Sequence, residues 1–301
     1  MSYEIVDRNY RFLNIPSGDL RISITDDCNM QCRYCHNEGQ SGSIAKHYLS
    51  HDEIISIIDR AMKYGVVKVR LTGGEPLLHP DIELICKSIR ERYNIRNLGI
   101  NTNAYNGDRL IKMCHMNLLD QIVIGVDFFA NTITKDSSVG PSPKYVLSIA
   151  RELKKQGHNI QIASVYMGDD SNKIKLIDYC LEHEILVKII EMTNMERKPD
   201  NSYFDFVKKV ISHFDLKVGL TVDLNQLYGI KNDKQVIRFF QSHCNRGECL
   251  LCRNLHLRIT STGYAKPCLF NKYTEEYLLN PRIFDTNIRR AIINMGNSYD
   301  V

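Results

Sequence analysis

Between residue 20 and about residue 193 the chain alternates short β-like runs with helical patterns, and this alternation limits the folds open to it. Leu20–Ile24, Val66–Leu71, Leu98–Asn101, Gln121–Val126, Ile160–Val165 and Leu186–Glu191 read as strands. The helical stretches begin at Ser50 and then run over Pro80–Tyr93, Asp108–Met116, Pro143–Gly157 and Ser171–His183. Ser50 suits an N-cap, Glu53 completes a capping box, and Ile54, Ile55, Ile58, Ala61 and Met62 form one apolar stripe. About six β-then-α steps imply an α/β fold with a parallel sheet and outer helices, either doubly wound or an incomplete barrel. In both, chemistry gathers at the C-terminal ends of the strands. Those ends carry a cysteine loop, the turn Gly73-Gly-Glu-Pro76, Asn101-Thr-Asn103 and Val126-Asp127.

After Pro199 the pattern changes. A helix is expected over Tyr203–Phe214, then irregular chain as far as Leu255–Ile259. That strand pairs with Tyr264–Phe270 through the turn Thr260-Ser-Thr-Gly263. The expected division is a core over residues 1–199 and a smaller C-terminal domain over 200–301.

The ten cysteines fall into three sets. Cys86, Cys114 and Cys180 stand alone in apolar or helical stretches and read as small buried hydrophobes. Cys244, Cys249, Cys252 and Cys268 flank the predicted C-terminal hairpin. Cys28, Cys32 and Cys35 are spaced Cys-x3-Cys-x2-Cys at the end of the first strand. Three thiolates hold a 4Fe–4S cluster by three of its irons and leave the fourth for a ligand that is not protein. Zinc would want a fourth ligand and a paired knuckle close by. A disulfide framework would want an oxidising compartment. The start, Met1–Asp7, carries acids where a signal peptide carries basic and then apolar residues, and no apolar run is long enough to span a bilayer. A soluble, cytoplasmic protein is expected. The net charge of +4 is spread among interleaved acids and bases, which argues against a nucleic-acid partner.

With these residues in place, the chain resembles the radical S-adenosylmethionine (SAM) enzymes, and most closely the subgroup containing the GTP 3′,8-cyclase of molybdenum-cofactor biosynthesis. The resemblance lies in Arg21-Ile-Ser-Ile-Thr-Asp26, the three-cysteine loop with Tyr34, and Arg70-Leu-Thr-Gly-Gly-Glu-Pro-Leu77. Near the other end it lies in Cys249 and Cys252 and in Thr260…Gly263…Lys266-Pro-Cys-Leu-Phe270. It implies an incomplete (β/α)6 TIM-type barrel with a C-terminal cluster-binding extension. It further implies that Cys28, Cys32 and Cys35 hold a 4Fe–4S cluster whose open iron binds SAM. One electron then breaks the sulfonium bond, and the 5′-deoxyadenosyl radical takes hydrogen from the substrate. The resemblance assigns Tyr34 to the adenine side of SAM and Gly73, Gly74, Glu75 and Pro76 to its methionine side. Cys249, Cys252 and Cys268 match the ligands of a second, auxiliary 4Fe–4S cluster, with a structural zinc including Cys244 as the alternative. Cys244 is expected not to be a ligand, because Asn245-Arg-Gly247 reads as a turn that points it away.

Candidate substrate contacts are Arg21, Arg70, Thr102, Lys188, His256 and Arg258. Planar guanidinium groups match phosphate oxygens. Several positions depart from the cyclase pattern. His256 replaces an arginine, Gln161 a lysine and Lys188 an arginine, Gly125-Val-Asp127 replaces a serine-led triplet, and paired terminal glycines are lacking. The leading expectation is therefore a radical SAM enzyme with a different small, phosphorylated or nucleoside-like substrate. Its reducing partner would be a flavodoxin or ferredoxin. The alternatives are GTP 3′,8-cyclase itself, a peptide-modifying enzyme and a non-catalytic cluster scaffold. The short stretch before the first strand counts against the peptide-modifying class.

Overall fold

The computed structural model describes residues 14–15, 17–32, 34–36, 46–127, 140–193, 200–221, 226–247, 256–269 and 275–296. These residues form two compact units. One takes the described residues up to Cys28, from His36 to Gly99 and after position 250. The other takes Asn29–Cys35 and Ile100–Cys249.

In the first unit β1 (Asp19–Thr25) pairs in parallel with β2 (Lys68–Gly73) on one side and with β10 (Leu257–Ile259) on the other. The antiparallel strands β11 (Tyr264–Lys266) and β12 (Glu276–Tyr277) extend the sheet beyond β10. Residues alternate faces along a strand, and here one face is uniformly apolar. Leu20, Ile22, Ile24, Val69, Leu71, Leu257 and Ile259 are all buried. The opposite face carries Arg21 and Ser23, Arg70 and Thr72, Arg258 and Lys266. The helices of this unit are α1 (His51–Ala61), α2 (Ile82–Arg92) and, near the C-terminus, α7 (Phe284–Gly296). Ser50 caps α1 as expected: its Oγ accepts from Glu53 N at 3.3 Å, and Glu53 Oε2 accepts from Ser50 N at 2.8 Å.

The chain passes from the first unit to the second within β3 (Asn97–Thr102). There α3 (Gly107–His115), β4 (Gln121–Gly125), α4 (Pro143–Lys155), β5 (Ile160–Tyr166), α5 (Asp170–Glu182) and β6 (Leu186–Glu191) follow the β-then-α order. Strands β4, β5 and β6 are parallel neighbours. After α6 (Asn201–His213) the expectation of irregular chain fails. Strands β7 (Lys217–Thr221), β8 (Gln226–Lys231) and β9 (Lys234–Phe240) form an antiparallel meander, and β9 lies parallel to β6. The β8–β9 turn is Asn232-Asp233, both at positive φ (51° and 59°), as a two-residue hairpin requires. Gly219 and Gly229 dilute the alternation that marks a strand, so the meander is hard to see in sequence. A Cβ on Gly219 would stand 2.3 Å from the Tyr228 ring, which lies across it.

Among the described residues the sheet is mixed and open, and the fold is α/β, an incomplete barrel of the (β/α)6 kind. Cys86, Cys114 and Cys180 are fully buried, and burial pushes the thiols of Cys114 and Cys180 up to about 12.

Candidate functional site

The chain leaves β1 through Asp26-Asp27-Cys28 and returns at Lys46-His47-Tyr48. A clasp ties these two segments together. Asp26 N donates to His47 O at 3.2 Å, and Leu49 N donates to Ile24 O at 3.0 Å. Asp26 Oδ1 accepts from His47 N at 2.7 Å, and Asp26 Oδ2 lies 2.9 Å from His47 Nδ1. Asp27 takes Lys46 Nζ at 2.6 Å and the Tyr48 hydroxyl at 2.5 Å. Burial pushes the Asp27 carboxyl up, but the Lys46 and Tyr48 bonds outweigh it and hold it below the usual carboxylate range. Both ends of the cysteine loop are thus pinned next to Cys28.

The Gly-Gly-Glu-Pro turn packs against the same segment. Gly74 N donates to Thr25 O at 2.8 Å, and Glu75 N donates to Asp27 O at 2.7 Å. Gly73 has φ 146°, and a Cβ there would stand 2.1 Å from Thr25 O; a Cβ on Gly74 would stand 2.2 Å from Asp27 O. These glycines therefore admit the chain's own backbone, beside Cys28. Glu75 is buried, its Oε1 accepts from Leu77 N at 2.9 Å, and Pro76 opens a 3-10 turn over Pro76–Leu78.

The second unit holds Asn29–Cys35. Cys35 N donates to Cys32 O at 3.0 Å. Tyr34 directs its hydroxyl to Asp127 Oδ2. Burial pushes the Cys32 thiol up, with the Tyr34 hydroxyl opposing the shift. Asp127 Oδ1 accepts from Val165 N at 2.9 Å. Behind it, Lys173 Nζ donates to Asp127 O at 2.6 Å and to Ser164 Oγ at 2.5 Å. Burial brings the Lys173 ammonium down to about 8, with Asp127 and Asp169 opposing the shift.

Cys28 and Cys35 are exposed and Cys32 is half-buried. Among the described residues no three His, Cys, Asp or Glu side chains converge as a metal's ligands do. Three cysteines this close in sequence nevertheless suit an iron–sulfur cluster by donor chemistry. A closed structural zinc site would want a fourth ligand.

The substrate candidates divide between the units. In the first, Arg70, Arg21 and Arg258 lie in one register line across β2, β1 and β10, and Lys266 continues it on β11. Arg21 donates to Thr72 Oγ1 at 3.5 Å, and Arg258 to Pro267 O, beside Cys268, at 3.5 Å. Lys266 is buried and paired with Glu275 at 2.6 Å. His256, half-buried, precedes Arg258 by two residues. In the second unit Lys188 stands over the Phe240 ring, 4.1 Å from its centroid. The Thr102 hydroxyl accepts from Ala104 N at 2.9 Å, closing the turn after β3.

Cys268 is half-buried just after β11, whereas Cys249 and Cys252 lie outside the described residues. Cys244 opens a 3-10 turn, Cys244–Arg246, ended by Gly247 at φ 70°. That turn is fixed to the end of β6 by the buried Glu191. Its carboxylate accepts from Ser242 N at 2.8 Å, Asn245 Nδ2 at 3.1 Å and Arg246 NH1 at 2.7 Å. Sequence reasoning missed Glu191, the Asp26–His47 clasp and Lys173. Only Lys173 left a mark, as a lysine in a helix position where the stripe calls for an apolar residue.

The profile described as the Radical SAM superfamily matches residues 22–178. The GTP 3′,8-cyclase of Limosilactobacillus fermentum is 30% identical over 307 residues, covering 94% of this chain and 89% of that protein. The GTP 3′,8-cyclase of Lactiplantibacillus plantarum is 28% identical over 298 residues, covering 91% and 85%. Among solved structures, Streptococcus suis SuiB bound to S-adenosylmethionine matches with a TM-score of 0.66 at 17% identity, over 91% of this chain and 64% of SuiB. Native anSMEcpe with bound AdoMet matches with a TM-score of 0.63 at 17% identity, over 91% and 80%. At these identities the structural likeness is one of fold. With the superfamily profile over residues 22–178 and a 30% identical relative along nearly its whole length, the chain belongs to the radical SAM superfamily.

Proposed function

We propose that the chain reductively cleaves S-adenosylmethionine and abstracts hydrogen from a small, phosphorylated or nucleoside-like substrate. Cys28, Cys32 and Cys35 would hold the 4Fe–4S cluster, which when bound supplies the electron that breaks the sulfonium bond. Tyr34 and Gly73-Gly74-Glu75-Pro76 would face SAM. Cys249, Cys252 and Cys268 would hold an auxiliary 4Fe–4S cluster, within a C-terminal domain over residues 200–301. A flavodoxin or ferredoxin would supply electrons.

The observation that carries the substrate class is the line Arg70–Arg21–Arg258 on the polar face of the sheet. Adjacent strands put neighbouring residues roughly 5 Å apart, and like charges directly opposite repel. Burial draws Arg70 down and Arg21 adds to the shift, with Asp19 opposing both. Asp19, on the same face, already offsets part of that charge, and a polyanion laid along the line would offset more of it and accept paired N–H donors. His256, Lys188 and Thr102 complete the proposed contacts.

A second reading, GTP 3′,8-cyclase, is favoured by the names of the relatives that span most of the chain. One anaerobic assay separates the two. With His256 and Gln161 in place of cationic side chains, GTP is expected to bind weakly and to give no cyclised pterin precursor while SAM is still cleaved. Cyclisation at an enzyme-like rate would establish the second reading instead.

Cys244 bears on the auxiliary cluster. A three-cysteine set leaves one iron open for a substrate atom, and a fourth thiolate closes it. Glu191 fixes the Cys244 turn independently of any cluster, which supports Cys244 as a bystander. Cys244→Ala is expected to retain about eight irons per chain, two full clusters. A fall to about four, with loss of the second cluster's spectrum, would make Cys244 a ligand.

A further inference from the structure

We propose that Lys173 is a positioning residue for the cysteine loop, acting from behind the sheet through Asp127 on Tyr34. The inference rests on the reading of Cys32 and Cys35 as cluster ligands. Lys173 occupies the buried stripe of α5 with Leu176, Ile177 and Cys180, a place the helix period gives to apolar side chains. An ammonium taken out of water is unfavourable unless its protons are bonded. Here two of the three go to Asp127 O and Ser164 Oγ.

Asp127 is the node of the arrangement. Its carbonyl is held by Lys173, its Oδ1 by Val165 N, and its Oδ2 receives the Tyr34 hydroxyl. The preceding residue is also fixed, with Val126 N donating to Ala163 O at 2.9 Å. Every path from Asp127 is short, so a displaced carbonyl is felt at the phenol. Tyr34 itself lies in the loop, between Cys32 and Cys35. The buried cation thus sets where the middle of the loop stands, without touching substrate or cluster.

Lys173→Met keeps most of the volume and removes the donor. In the apo protein the Val165 amide, which reports Asp127 directly, is expected to exchange with deuterium about tenfold faster. In the reconstituted enzyme the KM for SAM is expected to rise about tenfold, with kcat changed less than about threefold and iron content unchanged. Asp127→Ala should show the same split, and the double variant should be no worse than about twofold beyond the worse single one, because both act on one link. Lys173→Gln, which keeps a donor on a shorter stem, should fall between wild type and Lys173→Met.

Wild-type protection of Val165 in both Lys173 variants, or KM effects that multiply in the double variant, would overturn the proposal. So would a parallel loss of iron, kcat and melting temperature, which is what a purely structural role produces. If the wild-type protein fails to cleave SAM, the proposed function fails, while the exchange measurement still decides whether Lys173 holds Asp127.

Discussion

Alanine at Cys28, Cys32 or Cys35 is expected to reduce 5′-deoxyadenosine formation to background, even after reconstitution with iron and sulfide. On the proposed ligand set three thiolates are the whole protein contribution to this cluster, and removing one would leave two. The effect should be equal at all three positions, although Cys32 is half-buried and the other two are exposed. Product quantification in the chemically reduced variants checks this. Normal turnover in any of them removes that cysteine from the ligand set.

The next largest effect is expected at Gly73 and Gly74. A methyl group on Gly74 would sit 2.2 Å from Asp27 O and 2.6 Å from Asp27 C, and both are backbone atoms that cannot swing away. On Gly73 the obstacle is Thr25 O at 2.1 Å, and the φ of 146° adds backbone strain. Overpacking costs about 1–3 kcal/mol and a disfavoured backbone about 1–3 kcal/mol more. Gly73→Ala should therefore lower stability by about 3 kcal/mol or more, with Gly74→Ala somewhat milder. Gly157 is the control: it has φ 89° but nothing within 4 Å of its Cβ, so its alanine variant bears only the backbone term. Calorimetry with iron analysis separates them. Only the Gly73 and Gly74 variants should lose cluster as well as stability, because they push on Thr25 and Asp27 beside Cys28. A Gly74→Ala protein with wild-type iron and melting temperature would refute this account of the turn.

The parts of the fold set by local period were legible in the sequence. The six strands from β1 to β6 and the Ser50 cap follow from alternation, stripes and cap residues. The meander β7–β9 was not, because Gly219 and Gly229 interrupt its pattern and its marker, Asn232-Asp233, stands between short runs. The line Arg70–Arg21–Arg258 depends on β10 joining β1 across most of the chain's length, a pairing no local pattern records. The clasp of Asp26 with His47 joins positions 21 residues apart and leaves no periodic trace. Gly-Gly-Glu-Pro was legible as a turn needing glycine, but its immediate neighbour in the fold is the chain's own backbone. Among the described residues no helix is long and apolar enough to cross a membrane, in line with the absence of such a run in the sequence.

The most direct test of the account is to reconstitute the wild-type protein anaerobically, reduce it and incubate it with S-adenosylmethionine alone. The account predicts 5′-deoxyadenosine and methionine in equal amounts, formed only when reductant is present and lost in Cys32→Ala. A reconstituted protein that carries its cluster and binds S-adenosylmethionine, yet releases no 5′-deoxyadenosine under reduction, would contradict it.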